Sequence, residues 1–172
     1  MLRHHSGAVG MPDQGEPRTL RSARVLRLQY EIPIAGIARF WDELGEGRLV
    51  TTRCRRCRTL YFPPVADCSK CRSSEVRWIR LSGEAVLEAL TQIHLRPASF
   101  SDEEPYVVAV GRLTEGVKAL ARLVGVGVEE ARIGMRLMLR PSRTPAGALS
   151  YEFVPLAAVA ARTRRVRSRA SR

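Results

Sequence analysis

Cys54-Arg-Arg-Cys57, ten intervening residues, then Cys68-Ser-Lys-Cys71 is the stretch that decides how this 172-residue chain is read. Two Cys-x-x-Cys pairs, each on a tight turn, can aim four thiolates at one centre, and an all-sulfur tetrahedron suits zinc first and iron second. The gap is shorter than the usual spacing of about 15–20 residues between pairs. Thr59-Leu60-Tyr61-Phe62 reads as a short strand and Pro63-Pro64 as a stiff return, which together make a compact ribbon. Cys54, Cys57, Cys68 and Cys71 are also the chain's four cysteines. Disulfides need an oxidising compartment, and the N-terminus lacks the apolar core of a signal peptide. Redox dithiol chemistry ordinarily uses one Cys-x-x-Cys, not two. A closed four-cysteine site has no open coordination position, so its expected role is structural, folding a segment too small to stand on its own core.

Charge points elsewhere until it is located. The net charge is +12, with 27 Arg to two Lys, and 45% of residues are hydrophobic. Residues 156–172 hold six arginines and no acid, and residues 1–30 hold five arginines against Asp13 and Glu16. The body between has eighteen basic and fifteen acidic residues, close to neutral. No apolar run approaches the roughly 20 residues that span a bilayer, so the expectation is a cytoplasmic protein with no membrane partner.

Residues 1–20 show neither a strand nor a helix period, and Met11 is a second candidate start. Leu26, Leu28, Tyr30 and Ile32 alternate with polar residues as a strand or extended arm, ended by Pro33. Ile37, Phe40, Trp41 and Leu44 take helical spacing between Ile34 and Glu46, with Gly45 and Gly47 marking the end. Aromatics so spaced pack on a core, although they also anchor partners. Leu49–Thr52 leads as a strand into the first knuckle, and Val76–Leu81 leaves the second as another. The residue after the second cysteine of a knuckle is commonly left-handed and suited to glycine; here those places hold Arg58 and Arg72.

From Ser82 onward strands alternate with turns: Ala85–His94, the loop Arg96–Pro105, Tyr106–Leu113, a tight turn at Thr114-Glu115-Gly116, then Val117–Val126. One or two helical turns are expected over Val128–Ile133, then strands over Met135–Arg140 and Leu149–Val154. Three strands in meander, a short helix and two strands is the order of an OB-fold barrel. The predicted fold is mainly β: an N-terminal helix, a rubredoxin-like zinc ribbon and a C-terminal five-stranded OB-fold barrel. The expected divisions are a disordered extension (1–24), an arm and helix (25–47), the ribbon (48–77), the barrel (78–155) and a disordered Arg-rich tail (156–172).

The ordered motifs resemble a known family. They are Phe40-Trp41, Glu46-Gly47-Arg48-Leu49, Arg53-Cys54-x-x-Cys57, Tyr61-Phe62-Pro63-Pro64, Asp67-Cys68-x-x-Cys71, Ser82-Gly83-Glu84, Arg96-Pro97-Ala98-Ser99-Phe100, Glu104-Pro105-Tyr106, Glu115-Gly116-Val117 and Ile133-Gly134-Met135. Across roughly residues 25–155 the chain resembles the acyl-CoA-associated zinc-ribbon/OB-fold proteins, a domain-of-unknown-function family of thiolase partners. It looks most like archaeal-type members, which join acetoacetyl-CoA thiolase to hydroxymethylglutaryl-CoA synthase at the start of the mevalonate route. The resemblance implies a non-catalytic scaffold beside a shared coenzyme A channel, with acyl-CoA held through the complex. The chain departs from the pattern at Arg58 and Arg72, where glycine is usual, and at Val65, where a polar residue often follows the prolines.

The residues themselves agree that catalysis lies elsewhere. Thiolase-type condensation needs a free nucleophilic thiolate with acid/base groups, and every cysteine here is committed to metal. His94 is the one histidine beyond the first five residues, and no Gly-x-Ser-x-Gly elbow, P-loop or dinucleotide fingerprint is present. Asp102-Glu103-Glu104 reads as a solvated turn. Tyr61–Pro64 and Arg96–Phe100 are candidates for ligand contact. An accessory subunit of another acyl-CoA aldolase, hydratase or acyltransferase fits the same residues. Nucleic-acid binding is the competing class, but Val107–Leu113 and Val117–Val126 of the second and third barrel strands contain no aromatic residue to stack on a base.

Overall fold

The computed structural model describes residues 31–94, 104–144 and 147–158. All its regular elements lie in the unit from Pro33 onward; of the preceding unit, Met1–Ile32, Glu31 and Ile32 are described and neither is a strand residue. The rest of the expected arm, the extension, most of the tail and the loop 95–103 lie outside the described residues.

Helical spacing gives a 3-10 turn (Ala35–Ile37) running into α1 (Ala38–Gly45). Phe40 and Leu44 are buried on its inner face. The helix ends in a Schellman motif: Arg48 N–H donates to Glu43 O at 2.8 Å and Gly47 N–H to Leu44 O at 3.1 Å. Gly47 supplies the left-handed residue this closure requires, at φ +81°. Phe40, Trp41, Phe62 and Tyr151 form an edge-to-face cluster with ring centroids 5.1–6.2 Å apart. The pair Phe40-Trp41 therefore packs the helix on both ribbon and barrel, and a docking role is not needed to explain it.

The ribbon is a three-stranded antiparallel sheet in the order β2-β1-β3, from β1 (Val50–Cys54), β2 (Leu60–Tyr61) and β3 (Val76–Arg80). Thr51 and Thr52 are fully buried on opposite sides of β1, and each spends its hydroxyl locally, Thr51 on Tyr61 O and Thr52 on Val65 O and N–H at 2.9 Å. A β-branched strand former is thus accommodated in a tiny core without an orphaned polar atom.

The remaining strands close a barrel in the order β4-β5-β6-β8-β7: β4 (Glu84–Ile93), β5 (Tyr106–Leu113), β6 (Lys118–Leu123), β7 (Arg136–Arg143) and β8 (Leu149–Pro155). The parallel contact of β6 with β8 and the antiparallel contact of β4 with β7 give the connectivity of an OB-fold. Inward residues Ala85, Leu87, Ala109, Leu113, Ala121, Leu137, Leu139 and Phe153 fill it. Gly111 makes room for the Phe153 ring, since a Cβ there would lie 2.6 Å from Cζ.

One strand is irregular and one expectation changes. The alternation along β4 slips at Glu88, where a bulge moves the pairing from Leu87↔Gly111 to Ala89↔Val110; Leu90, not Ala89, then faces Ala109 and the core. The helical turns expected over Val128–Ile133 are simple turns. Gly134 N–H donates to Leu87 O and Leu87 N–H to Met135 O, at 2.8 and 2.9 Å, so this backbone is drawn into pairing with β4 and cannot coil. The interval between Gly127 and Gly134 is also too short to offset helix nucleation.

Ribbon and barrel are joined without a slack linker. Leu81 is buried and bonds back to Leu49 O at 2.9 Å. Gly83 O accepts from Leu139 N–H at 2.7 Å, and Ser82 is held by Thr114 and Glu115 of the β5–β6 turn.

Candidate metal centre

Each knuckle has the same backbone. Cys54 N–H donates to Thr59 O and Arg58 N–H returns to Cys54 O; Cys68 N–H donates to Ser73 O and Arg72 N–H returns to Cys68 O, all at 2.8–3.1 Å. The turns close only if the residue after the second cysteine is left-handed, and Arg58 and Arg72 adopt φ +65° and +57°. Arginine thus takes the conformation glycine would, at a cost of about 1–2 kcal/mol per residue. The knuckle geometry is retained, not altered, by these substitutions.

The four sulfurs lie within 4.8 Å of one another, with Cys54–Cys71 and Cys57–Cys68 contacts of 3.5 and 3.4 Å. A tetrahedral metal with bonds of about 2.3 Å to sulfur sets its ligands about 3.8 Å apart. The cluster is therefore positioned to bind a metal ion, and the donor set fits zinc. Cys54 and Cys68, one from each knuckle, are buried, while Cys57 and Cys71 are partly exposed.

Neighbouring hydroxyls prepare two of the four thiols; at Cys71 a Ser73 backbone bond lowers the thiol, but burial and the other three sulfurs push it up to about 12. Tyr61 Oη donates to Cys68 Sγ over 3.1 Å and accepts from Lys70 N–H. This bond lowers the Cys68 thiol from 9.0 to about 6, against the opposing effect of burial. The Thr59 hydroxyl, 3.2 Å from Cys57 Sγ, lowers that thiol as well. Tyr61 is a supporting residue the sequence reading missed as such: it stood among candidates for ligand contact. Its position seven residues before Cys68 gives no signal until β2 folds against the second knuckle.

The sign of the pH effect follows. A depressed folded-state pKa keeps Cys68 a thiolate down to about pH 6, whereas an ordinary thiol is protonated below 9. Between those values the metal displaces no proton from this ligand. Tyr61→Phe should therefore weaken zinc about 10–100-fold at pH 7, with the gap narrowing towards pH 9. Competition titration with a chelating dye at several pH values measures it; a gap that does not change with pH would sink this account.

Other candidates fall outside the centre. Phe62 is in the aromatic cluster and Pro64 is buried, while Tyr61 is partly buried and Pro63 exposed. His94 is exposed at the end of β4. Arg96–Phe100 and Asp102-Glu103 lie outside the described residues.

Ribbon, barrel and sulfur cluster define a zinc-ribbon/OB-fold protein. Residues 41–77 match the family model of the ChsH2 rubredoxin-like zinc ribbon domain and residues 78–140 that of the ChsH2 C-terminal OB-fold domain. The chain is 34% identical over 112 residues to a DUF35 domain-containing scaffold protein of Methanocaldococcus jannaschii, covering 64% of this chain and 79% of that one. It is 36% identical over 101 residues to a probable enoyl-CoA hydratase alpha subunit of Thermomonospora curvata, covering 58% of this chain and 31% of that longer one. Among solved structures it resembles a chain of the Ltp2-ChsH2(DUF35) aldolase, with TM-score 0.59 and 30% identity over 69% of this chain and 92% of that one. The chain belongs to the DUF35 family of zinc-ribbon/OB-fold scaffold proteins. No helix among the described residues is long and apolar enough to cross a membrane.

Proposed function

We propose that Cys54, Cys57, Cys68 and Cys71 hold one structural zinc ion, and that the chain is a non-catalytic scaffold subunit of a cytoplasmic acyl-CoA enzyme complex. The observation that carries this reading is the commitment of all four cysteines to one closed sulfur cluster in a chain that covers most of a named scaffold protein. Such a site offers no open coordination position for substrate. In the form nearest the archaeal-type members, the scaffold holds acetoacetyl-CoA thiolase beside hydroxymethylglutaryl-CoA synthase and helps retain the acyl-CoA between them. Fixing two enzymes together replaces diffusion through bulk solvent by a high effective concentration.

A second partner class has its own support. The hydratase alpha subunit and the chain from the Ltp2-ChsH2(DUF35) aldolase share about a third of their residues with this chain over the matched region. A hydratase or aldolase as partner keeps the scaffold role and changes the reaction it serves. The test is affinity capture of the tagged full-length chain from its native lysate at moderate salt after nuclease treatment, read by mass spectrometry. Thiolase and synthase chains are the expected result of the first form, and an aldolase or hydratase of the second. Recovery of only ribosomal or polymerase components would overturn both.

A further inference from the structure

Ribbon and barrel treat their cations differently. Residues 48–80 hold nine basic residues against Asp67 and Glu75, a net +7, whereas residues 81–155 hold eight against nine acids, a net −1. Every described barrel cation has a partner within the chain. Arg112 and Lys118 meet Glu88, Arg136 meets Glu84, and Arg140 meets Glu152. Arg122 stacks on Tyr106, and Arg132 and Arg143 donate to backbone carbonyls. In the ribbon, Arg48 is paired, with Glu43 and Glu46. The other eight cations have no ion pair or side-chain hydrogen bond among the described residues.

Two of the eight are placed against each other. Arg53 and Arg77 are direct cross-strand partners on β1 and β3, so their side chains leave the same face of the sheet. Like charges so opposed repel, and Arg53 Nε is buried with no acceptor among the described residues. One carboxylate between the two guanidinium groups relieves the repulsion.

We infer that this ribbon face docks an acidic surface of a partner protein, with Arg53 and Arg77 straddling a partner carboxylate. The inference rests on the scaffold reading and names how the scaffold grips its partner. The two terminal segments are unsuited as cover, since residues 1–30 and 156–172 are themselves basic. The four thiolates with a bound zinc ion leave a small negative remainder that does not reverse the ribbon's sign. A nucleic-acid strand is the poorer occupant because the ribbon's rings are spent. Tyr61 bonds to Cys68, Phe62 lies in the aromatic cluster and Trp78 lies beneath Arg39. Arginine, with its bidentate grip on carboxylates, is the cation enriched at protein interfaces, whereas lysine is depleted there.

The experiment compares the zinc-loaded full chain with an Arg53→Gln/Arg77→Gln double variant and a barrel control, Arg132→Gln/Arg136→Gln. Zinc content and melting temperature establish that both variants are folded. Affinity for the captured enzyme subunit, measured across a salt series, should fall at least about tenfold with a shallower salt dependence in the ribbon variant. The barrel control should stay within about fivefold of wild type. Unchanged binding by the ribbon variant, or an equal loss in the control, overturns the inference. Oligothymidylate of about 20 nucleotides, coenzyme A and self-association are measured in parallel. Loss of one of these in the ribbon variant, with the protein complex intact, also overturns it. If the captured subunit is not an acyl-CoA enzyme, the proposed function fails while dependence of its retention on Arg53 and Arg77 still supports the docking face. Retention of no protein by the wild-type chain overturns the docking face.

Discussion

Cys54→Ser should leave the purified chain with far less than one zinc ion and with its ribbon unfolded. The expectation follows from how little else holds the ribbon together. Between Val50 and Arg80 the fully buried side chains are Thr51, Thr52, Cys54 and Cys68, two of them in the sulfur cluster. β2 is a two-residue strand, and the knuckles are closed by left-handed arginines that oppose folding. A structural zinc ion contributes about 10–16 kcal/mol at neutral pH, as much as the whole stability of an ordinary domain, about 5–15 kcal/mol. Three thiolates and a hydroxyl do not replace it. Metal content by mass spectrometry and ribbon protection by hydrogen exchange measure the effect, and a zinc-free variant with wild-type protection of Val50–Cys54 would refute it. The barrel should keep partial protection, because its core of Leu87, Leu137, Leu139 and Phe153 is independent of the sulfur cluster.

The cysteine spacing is legible because ligand geometry is a local property: two short turns and a strand bring the sulfurs together whatever surrounds them. Barrel strands such as Tyr106–Leu113 are legible for a similar reason, since burial on one face imposes a period of two. What escaped was whatever depends on a neighbour distant in sequence. The bulge at Glu88 is set by pairing with β5, and the lost helical turns by pairing of Gly134 and Met135 with Leu87. Tyr61 becomes a support for Cys68 only across the ribbon. Charge escaped differently: summed over residues 31–155 it nearly cancels, and the imbalance shows only when residues 48–80 are counted apart from residues 81–155.

Gly83→Ala should be among the most damaging single-methyl additions in the chain. Gly83 sits where β3 hands over to β4, at φ +83°, and a Cβ there would stand 2.4 Å from Leu139 O, 3.0 Å from Met138 Sδ and 3.3 Å from Leu49 Cδ1. The nearest of these is a backbone oxygen in the barrel wall, and Leu139 is simultaneously bonded to Gly83 O. Moving it means opening β7. Left-handed strain of about 1–2 kcal/mol adds to overpacking of about 1–3 kcal/mol, so a loss of about 3 kcal/mol is expected. Gly47→Ala separates the two contributions, because Gly47 has nearly the same φ, +81°, and nothing within 4 Å of its Cβ position. It should carry the strain alone and melt closer to wild type. Chemical denaturation of the zinc-loaded chains measures the difference. Equal losses in the two variants would mean that β7 yields freely, and that ribbon and barrel are joined more loosely than the Gly83–Leu139 contact requires. A larger loss for Gly83→Ala with zinc retained would place the rigidity of the scaffold at this junction, where the ribbon meets the closed barrel.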